Sequence, residues 1–349
     1  MVPQIPYGIN RRSAMKITET ISGLEKIKKG CVLTIGNFDG VHLGHQQILT
    51  AAKQAAKEKA AELIAMTFEP HPVAILHPEK APGVLTPLET KKHLLAEYGV
   101  DCLIVLRDTP DLLNLSPEEF VGRFLVENVQ PSLVVEGDDF NFGAGRTGNI
   151  GTLQKLGSEQ GFETSVIGPR QIRLSTGQTV KVSSTMIRYM LESGHVSDAA
   201  AALGRPYQLA EKIIPGRGIG KHLGFPTINM QKPNQVIPGE GVYAGFVKVA
   251  ETIEGVLAAR EKMPAVYSIG QARTYGEEFP LLIEAHLLIE GVGDLIGKFT
   301  TMDFVRHIRS QHKFKTESQL CEQIAIDCKK AKQVLQKITD LSGNQTIKD

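Results

Sequence analysis

From residue 31 to about 167 the chain alternates short, continuous apolar runs with amphipathic stretches. The apolar runs are "CVLTIG" (31–36), "LIAMTF" (63–68), "CLIVL" (102–106), "SLVVEG" (132–137) and "TSVIG" (164–168). Strands that stay apolar at every position, instead of alternating with polar residues, are buried on both faces. Between them, "HQQILTAAKQAAKEKAAE" and "SPEEFVGRFLVENV" carry the spacing of amphipathic helices. The combination predicts an α/β domain built on a parallel sheet covered on both sides. Ser116, followed by Pro117 and Glu119, reads as a helix N-cap with proline at the first helical position.

After "SSTMIRYMLESGHVSDAAAALGRPY" (183–207) glycine and proline punctuate short runs such as "VYAGFVKVA", "PAVYSIG" and "PLLIEAHLLIE". That spacing predicts a small antiparallel β domain. "ESQLCEQIAIDCKKAKQVLQKI" then closes the pattern as a helix, with Cys321 and Cys328 seven residues apart on one core face. The boundary between the two halves is expected near 187–206.

Length and composition fit two globular domains: 349 residues, 42% hydrophobic and 22% charged. Thirty-nine basic against 38 acidic side chains leave a net charge of +1, so no global field advertises a nucleic acid or an acidic membrane. Any anion site must be built locally. The four cysteines form no CxxC pair and suggest no disulfide frame, which points to a reducing cytoplasm. No apolar run approaches the roughly 20 residues of a membrane span. "MVPQIPYGINRRSA" has no apolar core of a secretory signal, and the orderly pattern begins at Met15, a candidate initiator.

Local chemistry is concentrated in "TIGNFDGVHLGHQQIL" (34–49), between the first strand and the first helix. Loops at the carboxyl edge of an open α/β sheet are where ligands bind. Glycines let backbone N–H groups approach a phosphate, and a helix start adds unpaired donors and a positive dipole end. His42 and His45, on either side of Gly44, could donate to phosphate oxygens, a recipe for nucleotidyl transfer. A zinc site is the duller alternative, but no third ligand completes it. In "VSSTMIR" (182–188), Ser184 or Thr185 can cap a helix that presents Arg188 to triphosphate oxygens.

In the second half, "GRGIGKHLGFPTINM" (216–230) reads as a glycine-rich turn leading into an extended segment. Thr227 and Asn229 share a strand face, where a hydroxyl and an amide oxygen could hold Mg²⁺. In "LLIEAHLLIE", Glu284 is a carboxylate in mid-strand among apolar residues, suited to act as a general base. Each stretch has a bland alternative, an edge strand and a solvated face respectively.

Together, HxGH and SSTxxR resemble the signatures of the nucleotidyltransferase superfamily. With "TFEPHP" (67–72), "EGDDFNFGAGRTGN" (136–149), "GHVSDAAAALGRPY" (194–207) and "GFPTIN" (224–229), the chain resembles the bacterial bifunctional riboflavin kinase/FAD synthetase family from about residue 15 to 340. The resemblance implies a doubly wound parallel-sheet nucleotidyltransferase domain (15–186), a helical linker (187–206) and a small antiparallel β-barrel kinase domain with a terminal helix (207–340). It implies phosphorylation of riboflavin to FMN by the second domain and adenylylation of FMN to FAD by the first, with ATP and Mg²⁺. His42, His45, Arg188 and Glu284 would be catalytic. Asn37, Asp39, Gly44, Asp139, Phe140, Asn141, Phe142, Ser184 and Thr185 would bind ligand in the first domain, and Gly216, Gly220, Lys221 and Gly224 in the second. Thr227 and Asn229 would hold the metal. The partners implied are small molecules only: riboflavin, FMN and ATP.

The chain departs from the family pattern at Glu211, where glycine is usual, and at Lys221, where arginine is usual. Arg273 stands for a proline in "GQARTYG", with Tyr275 for a phenylalanine, and Gln311 for an acid in "IRSQHKF". These departures surround the second site and motivate another reading, an FAD synthetase with a flavin-binding regulatory domain. A non-catalytic nucleotide sensor on the same scaffold is a third.

Overall fold

The computed structural model describes residues 15–107, 110–271 and 281–343. The chain divides into two compact units between Ser184 and Thr185. The first is built on a six-stranded, all-parallel sheet in the order Lys16–Thr18, Cys102–Leu106, Leu63–Phe68, Val32–Ile35, Leu133–Gly137, Glu163–Ile167. From the central strand Val32–Ile35 the chain winds outward in one direction, then restarts on the other side at Leu133–Gly137. The sheet order therefore reverses beside Val32–Ile35, the place where open α/β sheets receive ligands.

Side-chain alternation explains why the strands read as continuously apolar. Leu33, Ile35, Ile64, Met66 and Ile104 meet Phe120, Phe124 and Leu153 on one face of the sheet. Val32, Leu63, Ala65, Leu103 and Val105 meet Leu49, Ala52 and Leu95 on the other. Each fully buried Leu or Ile contributes about 1.5–3 kcal/mol, so both layers are needed.

The helix starts follow local chemistry. Glu119 N donates to Ser116 Oγ at 3.2 Å and Ser116 N to Glu119 Oε2 at 3.1 Å, a capping box with Pro117 at its first position. The edge strand Lys16–Thr18 and the hairpin Gln171–Arg173/Thr179–Lys181 have no counterpart in the apolar pattern. Three-residue strands on exposed edges need no apolar run.

The second unit begins inside the helix Ser184–Glu192, continues through Val196–Leu203 and then forms a closed, antiparallel six-stranded barrel. Its order is Tyr207–Ile214, Thr227–Met230, Leu281–Leu287, Met263–Gln271, Gly241–Ala250, Phe299–Arg309, closing back on the first. Tyr243, Tyr267 and Phe304 are fully buried and touch through ring edges and tilted faces. On the other face of Gly241–Ala250, Val242, Ala244 and Phe246 pack against Ala331 and Leu335 of the terminal helix Glu317–Gly343. Arg309, ending the last strand, grips Asp327 of that helix at 2.8–3.2 Å. Cys328 joins the apolar seam, while Cys321 Sγ lies 4.0 Å from the Leu223 carbonyl. All four cysteines are free thiols, and no helix among the described residues is long and apolar enough to cross a membrane.

One local expectation changes. The stretch 216–226 is not a simple turn into a strand: Gly218 (φ 75°) caps a short helix, Ile219–His222, and Gly224 (φ 84°) releases the chain into Thr227–Met230.

Candidate active sites

The loop 36–42 leaves the carboxyl end of the central strand and enters the helix Leu43–Glu58 through His42, its N-cap. His45 N donates to His42 Nδ1 at 3.3 Å, so the neutral His42 ring carries its proton on Nε2. The two imidazoles stack at 3.7 Å between centroids, 13° from parallel, with the Phe38 edge against His45 at 5.4 Å. Gly44 gives this stack room, because a Cβ there would sit 3.2 Å from the His42 ring atoms Cε1 and Nδ1 and press on the imidazole. His42 Nδ1 is thus committed to capping the helix, and Nε2–H is the His42 donor left for a phosphate oxygen.

The loop is strained and tied down. Phe38 (φ 47°) and Val41 (φ 39°) adopt left-handed backbone beside Gly40 (φ 88°), at about 1–3 kcal/mol for each non-glycine residue. Asp39 accepts from Leu85 N at 3.0 Å and Thr86 N at 2.9 Å, and Gly40 N donates to Thr86 Oγ1 at 2.8 Å. The Asp39 carboxylate, read from sequence as a ligand of the nucleotide, is engaged with the backbone and fixes the loop. Ser184 Oγ donates to the Asp39 carbonyl at 2.8 Å. Ser184 is the first residue of its helix, so the cap position lies before it, and the hydroxyl is spent on the HxGH loop within the first unit. Arg188 follows one turn later, half-buried, and Thr185 is exposed.

Asn37 faces His71, with its amide 3.0 Å from His71 Nε2. His71 Nδ1 accepts from Val73 N at 3.1 Å as the cap of the helix Pro72–Leu76, so Nε2 bears the ring proton. That proton requires the amide oxygen of Asn37 on the His71 side. The amide NH₂ then occupies the buried position, which has no hydrogen-bond partner among the described residues. Glu136 is fully buried beside the same loop and accepts from Ile35 N. Burial holds its carboxyl well above the usual range, against the opposing pull of the Ile35 N–H and the Thr34 hydroxyl.

The "DFNFG" residues separate. Phe142 is buried among core residues against Phe120. Phe140 is half-buried and stacks on Phe142 at 5.6 Å. Asn141 is exposed and donates to the Asp139 carbonyl, and the Asp139 carboxylate pairs with Lys181 at 2.9 Å.

In the barrel, register builds the second site. Asn229 lies directly across from Glu284, Glu284 across from Ser268, and Thr227 across from His286. Opposed residues share a face, so Thr227, Asn229, Glu284, His286 and Ser268 form one polar patch. Burial raises the Glu284 pKa, with Arg217 nearby working against the rise. The glycine-rich segment lies on this patch: a Cβ at Gly216 would strike Asn229 Nδ2 at 2.1 Å, and one at Gly220 would sit 3.2 Å from Thr227 Oγ1. Lys221 is exposed on the short helix, as is Gly224 after it.

Gln311 donates to Ser268 Oγ at 2.9 Å and the Ile269 carbonyl at 3.1 Å. A carboxylate there would face that carbonyl without a proton to give, so glutamine fits this chain's own geometry. Glu211 accepts from its neighbour Lys212 N within the barrel strand Tyr207–Ile214, opposite Thr300. Arg273 and Tyr275 lie outside the described residues.

Sequence reading gave no role to His71, Arg217 or Lys91. His71 was signalled only by lying inside "TFEPHP". Lys91 was signalled by its place in the apolar stripe with Leu94 and Leu95 of the helix Leu88–Glu97.

The FAD synthetase family profile matches residues 24–186 and the riboflavin kinase family profile residues 203–335. The chain is 34% identical over 314 residues to the bifunctional riboflavin kinase/FMN adenylyltransferase of Escherichia coli strain K12, across 90% of this chain and 96% of that one. To the protein of the same description from Pseudomonas fluorescens it is 34% identical, across 86% and 91%. The crystal structure of a macrolide-efflux protein from Streptococcus pneumoniae matches with a TM-score of 0.76 and 24% identity, over 90% of this chain and 97% of that one; this likeness is one of fold. With both halves matched in order and nearly the full length aligned, the chain belongs to the bifunctional riboflavin kinase/FMN adenylyltransferase family.

Proposed function

We infer that the chain makes FAD from riboflavin in two ATP-dependent steps at two sites. The adenylyltransferase lies within 15–186 and the kinase within 207–340, joined by the helical segment 187–206. The substrates are small molecules, and the reaction belongs in the cytoplasm, where the four free thiols would stay reduced.

In adenylyl transfer, a phosphate oxygen of FMN attacks the α-phosphorus of ATP and pyrophosphate leaves in line. His42 Nε2–H, the His45 imidazole, the Asn37 amide and the first N–H groups of Leu43–Glu58 offer donors for the charge that accumulates on the phosphates. Arg188, in the SSTxxR signature, would add a cation for the phosphates. The strained backbone 38–41 holds these donors in place before substrate arrives, so little reorganisation is left for the reaction.

In the kinase, Glu284 accepts the proton of the ribityl 5′-hydroxyl as that oxygen attacks the γ-phosphorus, and ADP leaves. Partial burial makes Glu284 a stronger base than an exposed carboxylate. The donor set fits Mg²⁺: a hydroxyl and an amide oxygen on one face, under a glycine segment close enough to bring phosphates against them. Thr227 and Asn229 would hold the ion, which when bound neutralises phosphate charge.

The register that sets Asn229 and Ser268 on either side of Glu284 carries the two-site reading. Purified protein given riboflavin, ATP and Mg²⁺ should yield FMN and ADP, then FAD and pyrophosphate. FAD formed from added FMN, with no FMN made from riboflavin, would leave the barrel a flavin-binding module and refute the kinase half.

A further inference from the structure

A lysine with no part in the mechanism above lies beneath the phosphate loop. Lys91, on the helix Leu88–Glu97, is 5% exposed. Among the described residues, its ammonium has Thr67 Oγ1 at 3.5 Å and Glu69 Oε2 at 3.9 Å, with the Asp39 carboxylate contributing to its field. Burial lowers its pKa, and the two carboxylates oppose that shift. Thr67 Oγ1 in turn donates to the Asn37 carbonyl at 3.2 Å. Thr67, Glu69 and His71 follow one another at every second position and converge on Asn37 and Lys91. A buried ion pair is rarely more stable than apolar residues of the same volume, and this ammonium is loosely satisfied. A purely structural position would be served as well by methionine.

We propose that Lys91 is a positioning residue for adenylyl transfer, acting through the Thr67 hydroxyl on the Asn37 carbonyl and against Glu69 and Asp39 to hold the phosphate loop in the shape that receives ATP. This rests on the reading of that loop as the ATP site. The ammonium donates to Thr67 Oγ1, whose hydroxyl in turn donates a hydrogen bond to the Asn37 carbonyl oxygen. The Asn37 main chain is thereby fixed from below while its side chain is fixed by His71.

The test uses the full chain and measures FAD formation from FMN with ATP titrated, alongside riboflavin phosphorylation in the same preparation. Lys91→Met is expected to raise KM for ATP by about tenfold, the worth of a hydrogen bond to a charged group, with the kinase constants unchanged. Thr67→Val should shift KM in the same direction, and the double variant should be no worse than Lys91→Met alone, because both act on one path. Lys91→Arg should recover part of the loss. An unchanged KM in folded Lys91→Met, or a lowered melting temperature without a KM shift, overturns the proposal, as does strict additivity of the two substitutions. If Lys91→Met does not fold, Thr67→Val decides: a normal KM refutes. His45→Ala separates the underlying reading, since intact FAD synthesis in that variant would remove the ATP site itself, whatever Lys91 does.

Discussion

Replacing Arg309 with methionine tests whether the terminal helix holds the kinase half together. Arg309 meets Asp327 through Nε at 3.0 Å and Nη2 at 2.8 Å, and its Nη1 donates to the Ser310 carbonyl. Only 2% of the Asp327 side chain is accessible. Without the guanidinium, that carboxylate keeps Gln323 Nε2 at 2.9 Å and little else among the described residues. Stranding a buried charge in this way costs about 3–5 kcal/mol, a third or more of what a domain of this size has. For a unit of this length the loss lowers the barrel's melting temperature by roughly 6–20 °C. Arg309 is also two residues from Gln311, which holds Ser268 beside Glu284, so kinase activity should fall with the barrel. Scanning calorimetry of the full chain, with FMN and FAD formation followed across temperature, reads both effects: phosphorylation should fail at temperatures where FAD is still made from FMN. Arg309→Met/Asp327→Leu should regain most of the stability, because an apolar pair leaves no charge stranded. A single variant that loses under about 1 kcal/mol, or a double variant as unstable as the single, would refute this reasoning.

His45→Ala should lower FAD formation by about 100-fold or more while sparing FMN formation, as measured by separating the flavins after reaction; equal loss of both in folded protein would contradict separate sites. Glu284→Gln should lower kcat for riboflavin phosphorylation by about 10²–10⁴-fold and leave adenylylation intact. Because burial raises the Glu284 pKa, the acid limb of the wild-type kinase profile should lie above the usual carboxylate range and vanish in the glutamine variant. Glu136 gives a stability test: its pKa is raised in the folded state, so native protein keeps a proton that unfolded chain releases, and stability falls as pH rises through that window. Glu136→Gln keeps an acceptor for Ile35 N and should flatten the pH dependence of urea unfolding of the first unit; an unchanged slope would show that Glu136 does not titrate there.

What the sequence determined by itself is what local periodicity and short motifs can encode. Continuous apolar runs identified the five longer strands of the parallel sheet, and their position fixed HxGH at the entrance of the first helix. Parity along a strand put Thr227 with Asn229, and Glu284 with His286, before any register was known. Tertiary structure alone decided what faces what. The Asp39 carboxylate is taken by Leu85 and Thr86, His71 meets Asn37, Lys91 comes under Thr67, and Phe142 goes to the core against Phe120. Those partners lie some 20 to 50 residues apart. A helical or strand period describes one element at a time, and it carries no information about which distant element will close on it.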